Sequence, residues 1–140
     1  MIQHQETLEV RTNGRSLVDL TEELRSCVRR SKVATGLAVV FCRHTSCSLL
    51  VQENADPTVQ SDLLAWLERL APDGDPRHAH DAEGPDDMPA HLRTAITHTS
   101  ETIPVTGGEP ALGTWQALYL VEHRTRPHSR RVVVHVTGEA

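Results

Sequence analysis

The sequence predicts a single α+β domain spanning residues 1–140, with about seven mostly antiparallel strands and two or three helices. Three observations predict it. Residues 2–12 alternate with period two, as a half-buried strand does. Two short apolar runs, 37–42 and 47–52, have the length of buried strands. Stripes at helical period fall between the strand-like segments in mixed order, without the regular βαβ repeat of a parallel sheet. The length is that of one ordinary domain, and no internal repeat or linker interrupts it.

In chain order, Leu8 and Val10 give the first strand its best apolar contrast, and Asn13-Gly14 turns the chain after it. Ser16, with Asp19 three residues on, reads as the cap of a helix whose stripe is Leu17, Leu20, Leu24, Cys27 and Val28 and which runs to about residue 31. Gly36 breaks it. The runs 37–42 and 47–52 are separated only by a short bend holding His44 and Thr45, so they are expected to pair as neighbours. Asp56-Pro57 reads as an N-cap followed by a proline at the first helical position. Val59, Leu63, Trp66, Leu67 and Leu70 would bury one face of that second helix, which Pro72 ends. Residues 72–88 are loop by composition, and a connection that long is usually functional or disordered. A short helix from Pro89 to about His98 follows. Strands near 101–105, 112–122 and 131–137 close the chain, with Gly107-Gly108 turning between the first two.

The composition excludes several function classes. A formal net charge of −5 supplies no basic field for nucleic acid or anionic lipid. One Phe, one Tyr and two Trp do not build a stacking platform for single strands. No apolar stretch approaches a membrane span, and no signal-peptide pattern opens the chain. Cys27, Cys42 and Cys47 form no Cys-x-x-Cys pair, which points to a reduced, cytoplasmic protein, with Cys42 and Cys47 as small core residues.

Chemistry concentrates between His80 and Leu92, where two imidazoles and four carboxylates stand in thirteen residues. These groups bind borderline divalent metals and transfer protons near neutral pH. The spacing of His80 and His91 matches no strong zinc motif, and a solvated acidic loop with incidental histidines is the bland alternative. His44 stands at the bend between two apolar runs, where a polar group must be satisfied locally or point into a cleft. Asp56 explains itself as a cap, whereas Glu53 and Asn54 have no such account. In the strand from Thr114 to His123, parity puts Trp115 and His123 on one side and Gln116 and Glu122 on the other. Glu122 and His123 therefore share a site only if the strand ends or bulges there. Arg124, Arg130 and Arg131 cluster just beyond and could bind phosphate; a charged turn is the alternative.

Several segments occur in an order that carries a resemblance: His44-Thr45-Ser46, Glu53-Asn54-Ala55-Asp56-Pro57, His80-Asp81, Glu83-Gly84, Asp86-Asp87-Met88-Pro89-Ala90-His91, Gly113-Thr114-Trp115-Gln116, Glu122-His123-Arg124 and Ser129-Arg130-Arg131. Together, from about residue 5 to Glu139, they resemble the YjbQ family of small bacterial and archaeal proteins, also labelled secondary thiamine-phosphate synthase. The resemblance implies a sandwich-like arrangement of the strands, a homotrimer, and one cleft in which the polar positions gather. It implies metal ligation by His44, His80, His91 and His123, catalytic roles for Glu53, Asp87 and Glu122, and substrate or anion contacts from Asn54, Trp115, Gln116, Arg124, Arg130 and Arg131. His78, His98 and His128 fall outside the motifs. Pro127-His128 stands where relatives tend to have a glycine-rich turn. The family label implies joining a pyrimidine pyrophosphate to a thiazole phosphate, as the main reaction or as a side activity. A histidine-rich ligand set favours zinc or a similar transition ion over magnesium. The alternative function is a non-catalytic trimeric module that holds metal or a small anion.

Overall fold

The computed structural model describes residues 1–140 as two antiparallel sheets with helices on and between them. Strand β1 (Ile2–Asn13) is followed by β2 (Ser16–Asp19), helix α1 (Thr21–Ser31), β3 (Thr35–Cys42), β4 (Cys47–Glu53), α2 (Pro57–Leu70) and α3 (Asp87–Ile96). Strands β5 (Ser100–Thr106), β6 (Glu109–Pro110), β7 (Gln116–Glu122) and β8 (Pro127–Glu139) complete the chain. One sheet has the order β1-β8-β3-β5-β6 and the other β2-β7-β4. The expected α+β class with mostly antiparallel strands is what the chain forms, with eight strands and three helices.

The core lies between the sheets. Val132, Val134 and Val136 of β8, Ala38 and Val40 of β3, and Ile103 and Val105 of β5 meet Leu49 of β4 and Leu118 and Leu120 of β7. Leu24, Cys27 and Val28 of α1 close the same cluster. The central strand β7 is buried on both sides because α2 and α3 cover its other face, where Gln60 Nε2 donates to the Tyr119 hydroxyl at 3.0 Å. Arg93 of α3, almost fully buried, ties this layer together by donating to the carbonyls of Leu67, Ala71 and His123.

Five local expectations are corrected. Ser16 does not cap a helix: residues 16–19 pair with β7, and α1 starts at Thr21, whose amide is held by the Asp19 carboxylate at 2.8 Å. That helix ends at Ser31, close to the expected residue, but Lys32 in the left-handed region stops it and not Gly36. The runs carried by β3 and β4 do not pair; the bend at 43–46 passes the chain from one sheet to the other. On α2 only Leu67 is buried, while Trp66 and Leu70 stay about half exposed. The Asp56 cap forms as expected, and the Gly107-Gly108 turn forms but joins β5 to the two-residue β6; the strand expected over 112–122 starts only at Gln116, as β7. Both glycines of the turn have positive φ, as a two-residue hairpin turn requires.

Candidate metal centre

Helix α3 begins two residues earlier than its proline suggests, at Asp87, and this creates the site. Asp87 and His91 stand at i and i+4, so their side chains share one face of the first turns. The loop before the helix folds back, pinned by the Gly74 amide on the Pro85 carbonyl and the Gly84 amide on the Asp81 carbonyl. It delivers His80 to the same carboxylate. His80 Nε2 lies 2.6 Å from Asp87 Oδ2 and His91 Nε2 lies 3.1 Å from that same oxygen. The rings approach with centroids 5.4 Å apart. One ligand atom from each of His80, Asp87 and His91 lies within 4.8 Å of the others. The carboxylate is buried, whereas the His80 side chain is 43% exposed, so the group opens to solvent on its imidazole side.

The surroundings fix these atoms. His91 Nδ1 lies 2.8 Å from the Thr45 carbonyl oxygen. A carbonyl only accepts, so Nδ1 carries the hydrogen and, in the neutral ring, Nε2 presents a lone pair toward Asp87. Lone pair facing carboxylate is repulsive unless a proton or a cation stands between them. Asp87 Oδ1 is held by Arg124 Nη1 at 2.6 Å, and Arg124 Nε donates to Asp86 at 3.0 Å. Burial raises the Asp87 carboxyl, but the hydrogen bond from His80 and the Arg124 charge outweigh it and hold the pKa below the ordinary carboxylate value. Asp86 is likewise kept ionised: burial opposes it, and hydrogen bonds from Arg124 and Thr125 prevail.

The donor set fits a transition metal. Zinc bonds imidazole nitrogen and carboxylate oxygen at about 2.0–2.2 Å, which spaces tetrahedral ligands roughly 3.4 Å apart. The atoms here are separated by between 2.6 and 4.8 Å and need only small rotations to adopt that spacing. Each anchor outside the ligand atoms, Thr45 on His91 and Arg124 on Asp87, is of the kind that orients ligands in metal sites.

The predicted residues divide by place. His80, Asp87 and His91 come together, with Asp87 as a ligand candidate where the resemblance implied catalysis. His44 and His123 stand outside the group. His44 Nε2 accepts the Arg131 amide at 2.7 Å, and burial together with the Arg130 charge pulls its pKa below the usual histidine range. His123 is enclosed with Nε2 2.8 Å from the Ser48 hydroxyl; burial, then the Arg93 charge, push it down to about 3. Both Glu122 and His123 are buried because β7 ends at Glu122. Glu122 pairs with Arg130, Nη2 to Oε2 at 2.5 Å and Nε to Oε1 at 2.7 Å, and also accepts from Thr12. Arg130 and Arg124 are therefore both committed to carboxylates, and of the three arginines only Arg131 is exposed with its guanidinium in no ion pair. Glu53, Asn54, Trp115 and Gln116 lie at the other end of the same sheet. The register pairs Cys47 with Glu122 and Glu53 with Gln116, which separates the ends by roughly 20 Å along the strands. There Glu53 accepts the Asp56 amide, Asn54 donates its amide to the Trp115 carbonyl, and Gln116 accepts the Gly113 amide. Reasoning from sequence missed the Thr45 carbonyl, Asp86 and Arg93; only Asp86, adjoining the motif carboxylate, carried a signal.

A sequence profile described as UPF0047 protein YjbQ-like matches residues 6–139. The chain belongs to the YjbQ family. It is 53% identical to UPF0047 protein sll1880 of Synechocystis over 137 residues, covering 98% of this chain and 93% of that one. YjbQ of Escherichia coli O157:H7 is 38% identical, with 97% and 99% covered. Among solved structures, the conserved hypothetical protein TT1486 of Thermus thermophilus superposes with a TM-score of 0.85 at 36% identity, covering 94% of this chain and 99% of that one. The YjbQ relationship thus spans both sheets and the His80–His91 segment.

Proposed function

We propose that this YjbQ-family protein binds a divalent transition metal, zinc or a similar ion in preference to magnesium, through His80, Asp87 and His91. The observation that carries this is His91: its Nδ1 is committed to the Thr45 carbonyl, so in the neutral ring Nε2 turns its lone pair toward the Asp87 oxygen that His80 also faces. Three protein ligands with one side open is the plan of catalytic rather than structural zinc sites. A metal held there would act as a Lewis acid on a phosphoryl or pyrophosphate oxygen. Arg124, itself held by Asp86, keeps the Asp87 carboxylate in position, and Arg131, exposed and linked through its amide to His44 of the bend that also meets His91, is the cation we assign to a phosphorylated small molecule. This supports an enzyme of the secondary thiamine-phosphate synthase type, in which pyrophosphate leaves the pyrimidine as the thiazole phosphate is joined. A trimeric module that holds metal or a small anion without turnover is the second reading. The exposed apolar side chains Phe41, Trp66 and Leu70 favour its assembly half, and the trimer is proposed with either reading.

The test is calorimetric zinc titration of chelator-treated protein, then turnover of the two phosphorylated substrates with and without metal. His91→Ala removes zinc uptake and leaves the circular dichroism of the fold unchanged. His98→Ala is the control, since His98 faces Glu101 and not the site. Equal uptake by both variants overturns the ligand assignment. Uptake without turnover favours the binding module. Imidazole coordinates only when unprotonated and free histidine titrates near ~6.5, so zinc affinity falls as the pH drops through that range.

A further inference from the structure

We propose that Cys42 and Cys47 form a reversible disulfide site, closed by a small peroxide and opened by a dithiol, whose closure re-sets the loop that orients His91. The two sulfurs are 3.3 Å apart as free thiols. A disulfide bond is about 2.05 Å long, so they lie about 1.2 Å from bonding distance. Cys42 is the last residue of β3 and Cys47 the first of β4, so the pair clamps both ends of the bend where the chain passes between the sheets.

That bend holds the neighbourhood of the metal centre by three contacts. The Thr45 carbonyl accepts from His91 Nδ1, the Ser46 carbonyl accepts from Arg130 Nη2 at 3.3 Å, and His44 Nε2 accepts the Arg131 amide. Drawing the ends of a four-residue bend together moves at least one of these, because the bend has no regular hydrogen-bond ladder of its own. The thiols are buried, but Arg43 and Thr45 are exposed on either side of the bend. Because the sulfurs are enclosed, the oxidant this site requires is small and neutral, hydrogen peroxide and not a bulky disulfide.

The order of events follows from the two environments. The hydrogen bond from the Cys47 thiol, against the effect of burial, and the Arg130 charge hold Cys42 below the ordinary thiol range, whereas Cys47 is driven far above it. Cys42, whose S–H meets the Cys47 carbonyl at 3.5 Å, is therefore the thiol that gives up its proton first and attacks. Its sulfur takes one oxygen of hydrogen peroxide, the O–O bond breaks, and the departing hydroxide takes up a proton to leave as water. Cys47 then loses its proton and attacks Cys42 Sγ; the S–O bond breaks and a second water departs. Two thiols and one peroxide become one disulfide and two waters. Cys27 is equally buried, with no second thiol beside it, and serves as the internal reference.

Folded, chelator-treated protein is exposed to hydrogen peroxide, its remaining thiols are alkylated, and its peptides are mapped by mass spectrometry. The expected result is a 42–47 crosslink with Cys27 alkylated, full reversal by dithiothreitol, and shifted amide resonances for residues 43–46 and for His91. Cys47→Ser, which keeps a hydroxyl donor beside Cys42, stops the reaction at a Cys42 sulfenic acid that a cyclic 1,3-dione traps. If that variant fails to fold, the wild-type map decides alone. Crosslinking only in denaturant, or oxidation of Cys27 first, overturns the disulfide site. A crosslink with unchanged 43–46 and His91 resonances overturns its effect on the loop. Neither readout uses a metal, so this result stands apart from the outcome of the zinc titration.

Discussion

At the scale of single residues, the structure moves Arg130 from ligand binding to stability. Arg130 and Glu122 are both buried and joined by two hydrogen bonds, so neither is available to a solute. Removing one partner of a buried pair strands the other charge, at a cost of about 3–5 kcal/mol. Thr12 and the Arg124 amide still reach Glu122, which sets the expectation for Arg130→Ala at about 3 kcal/mol, read from urea denaturation. Arg130→Ala with wild-type stability and weakened phosphate binding would restore the anion-rim reading. His123 carries the pH dependence. Its folded pKa of about 3 lies below the ordinary histidine value, so the unfolded chain binds the proton more readily. Stability is therefore full above about pH 6.5 and falls as the pH drops toward 3, by on the order of 4 kcal/mol from this group. Exchanging His123 for Gln flattens the stability curve between those limits; an unchanged slope shows that other groups carry it. None of this was legible in the sequence, because the parity of a strand says which residues share a face and not whether that face is covered. Covering by α2 and α3 made both faces of β7 interior.

At the scale of elements, alternation was legible wherever one face meets water, as in β1. The short β2 was misread because Ser16 and Asp19 stand at the spacing of a capping box, and only pairing with β7 decides the matter. The start of α3 was misplaced by assigning Pro89 to the first helical position. A proline at the third position is tolerated too, since no amide in the first turn has a helical partner. With the start at Pro89, Asp87 falls outside the helix and its i,i+4 relation to His91 disappears; with the true start the Asp87–His91 pair is readable from sequence, whereas the arrival of His80 depends on the fold of the loop. Two strands come into tight contact at Gly36 of β3, which faces Gly138 of β8. A methyl group on Gly36 would stand 2.0 Å from the Thr137 carbonyl oxygen, inside any allowed contact. The strands must part to admit it, so Gly36→Ala is expected to lower stability by about 1–3 kcal/mol, the range for overpacking. Thermal denaturation measures it, and an unchanged melting temperature would mean the β3–β8 pairing yields more easily than its register suggests.

At the scale of the whole molecule, several large apolar side chains stay exposed, among them Leu37, Phe41, Trp66, Leu70, Ile96 and Trp115. No helix is long and apolar enough to cross a membrane, so that surface is not explained by a spanning helix. On the outer face of the five-stranded sheet, Leu37 and Phe41 are 44% and 45% exposed, and the register sets Phe41 against Val133. With Val39 between them, these side chains make an apolar stripe along β3 that continues onto β8 only at Val133, because Thr137 and His135 stand opposite Leu37 and Val39. On α2, Trp66 and Leu70 form a smaller patch interrupted by Asp62 and Arg69. Contiguous apolar patches of this kind mark association surfaces. The stripe on the sheet is the better candidate for the proposed trimer contact because no charged residue separates Leu37, Val39 and Phe41 along β3, whereas Asp62 and Arg69 interrupt the patch on α2. Light scattering on micromolar protein is expected to give three times the 15.5 kDa chain mass. Phe41→Asp, which puts a charge in the stripe, should reduce that mass to a single chain without loss of circular dichroism, whereas Trp66→Asp should leave the assembly intact. A monomer mass for the unaltered protein removes the trimer, and dissociation by Trp66→Asp alone transfers the contact to α2.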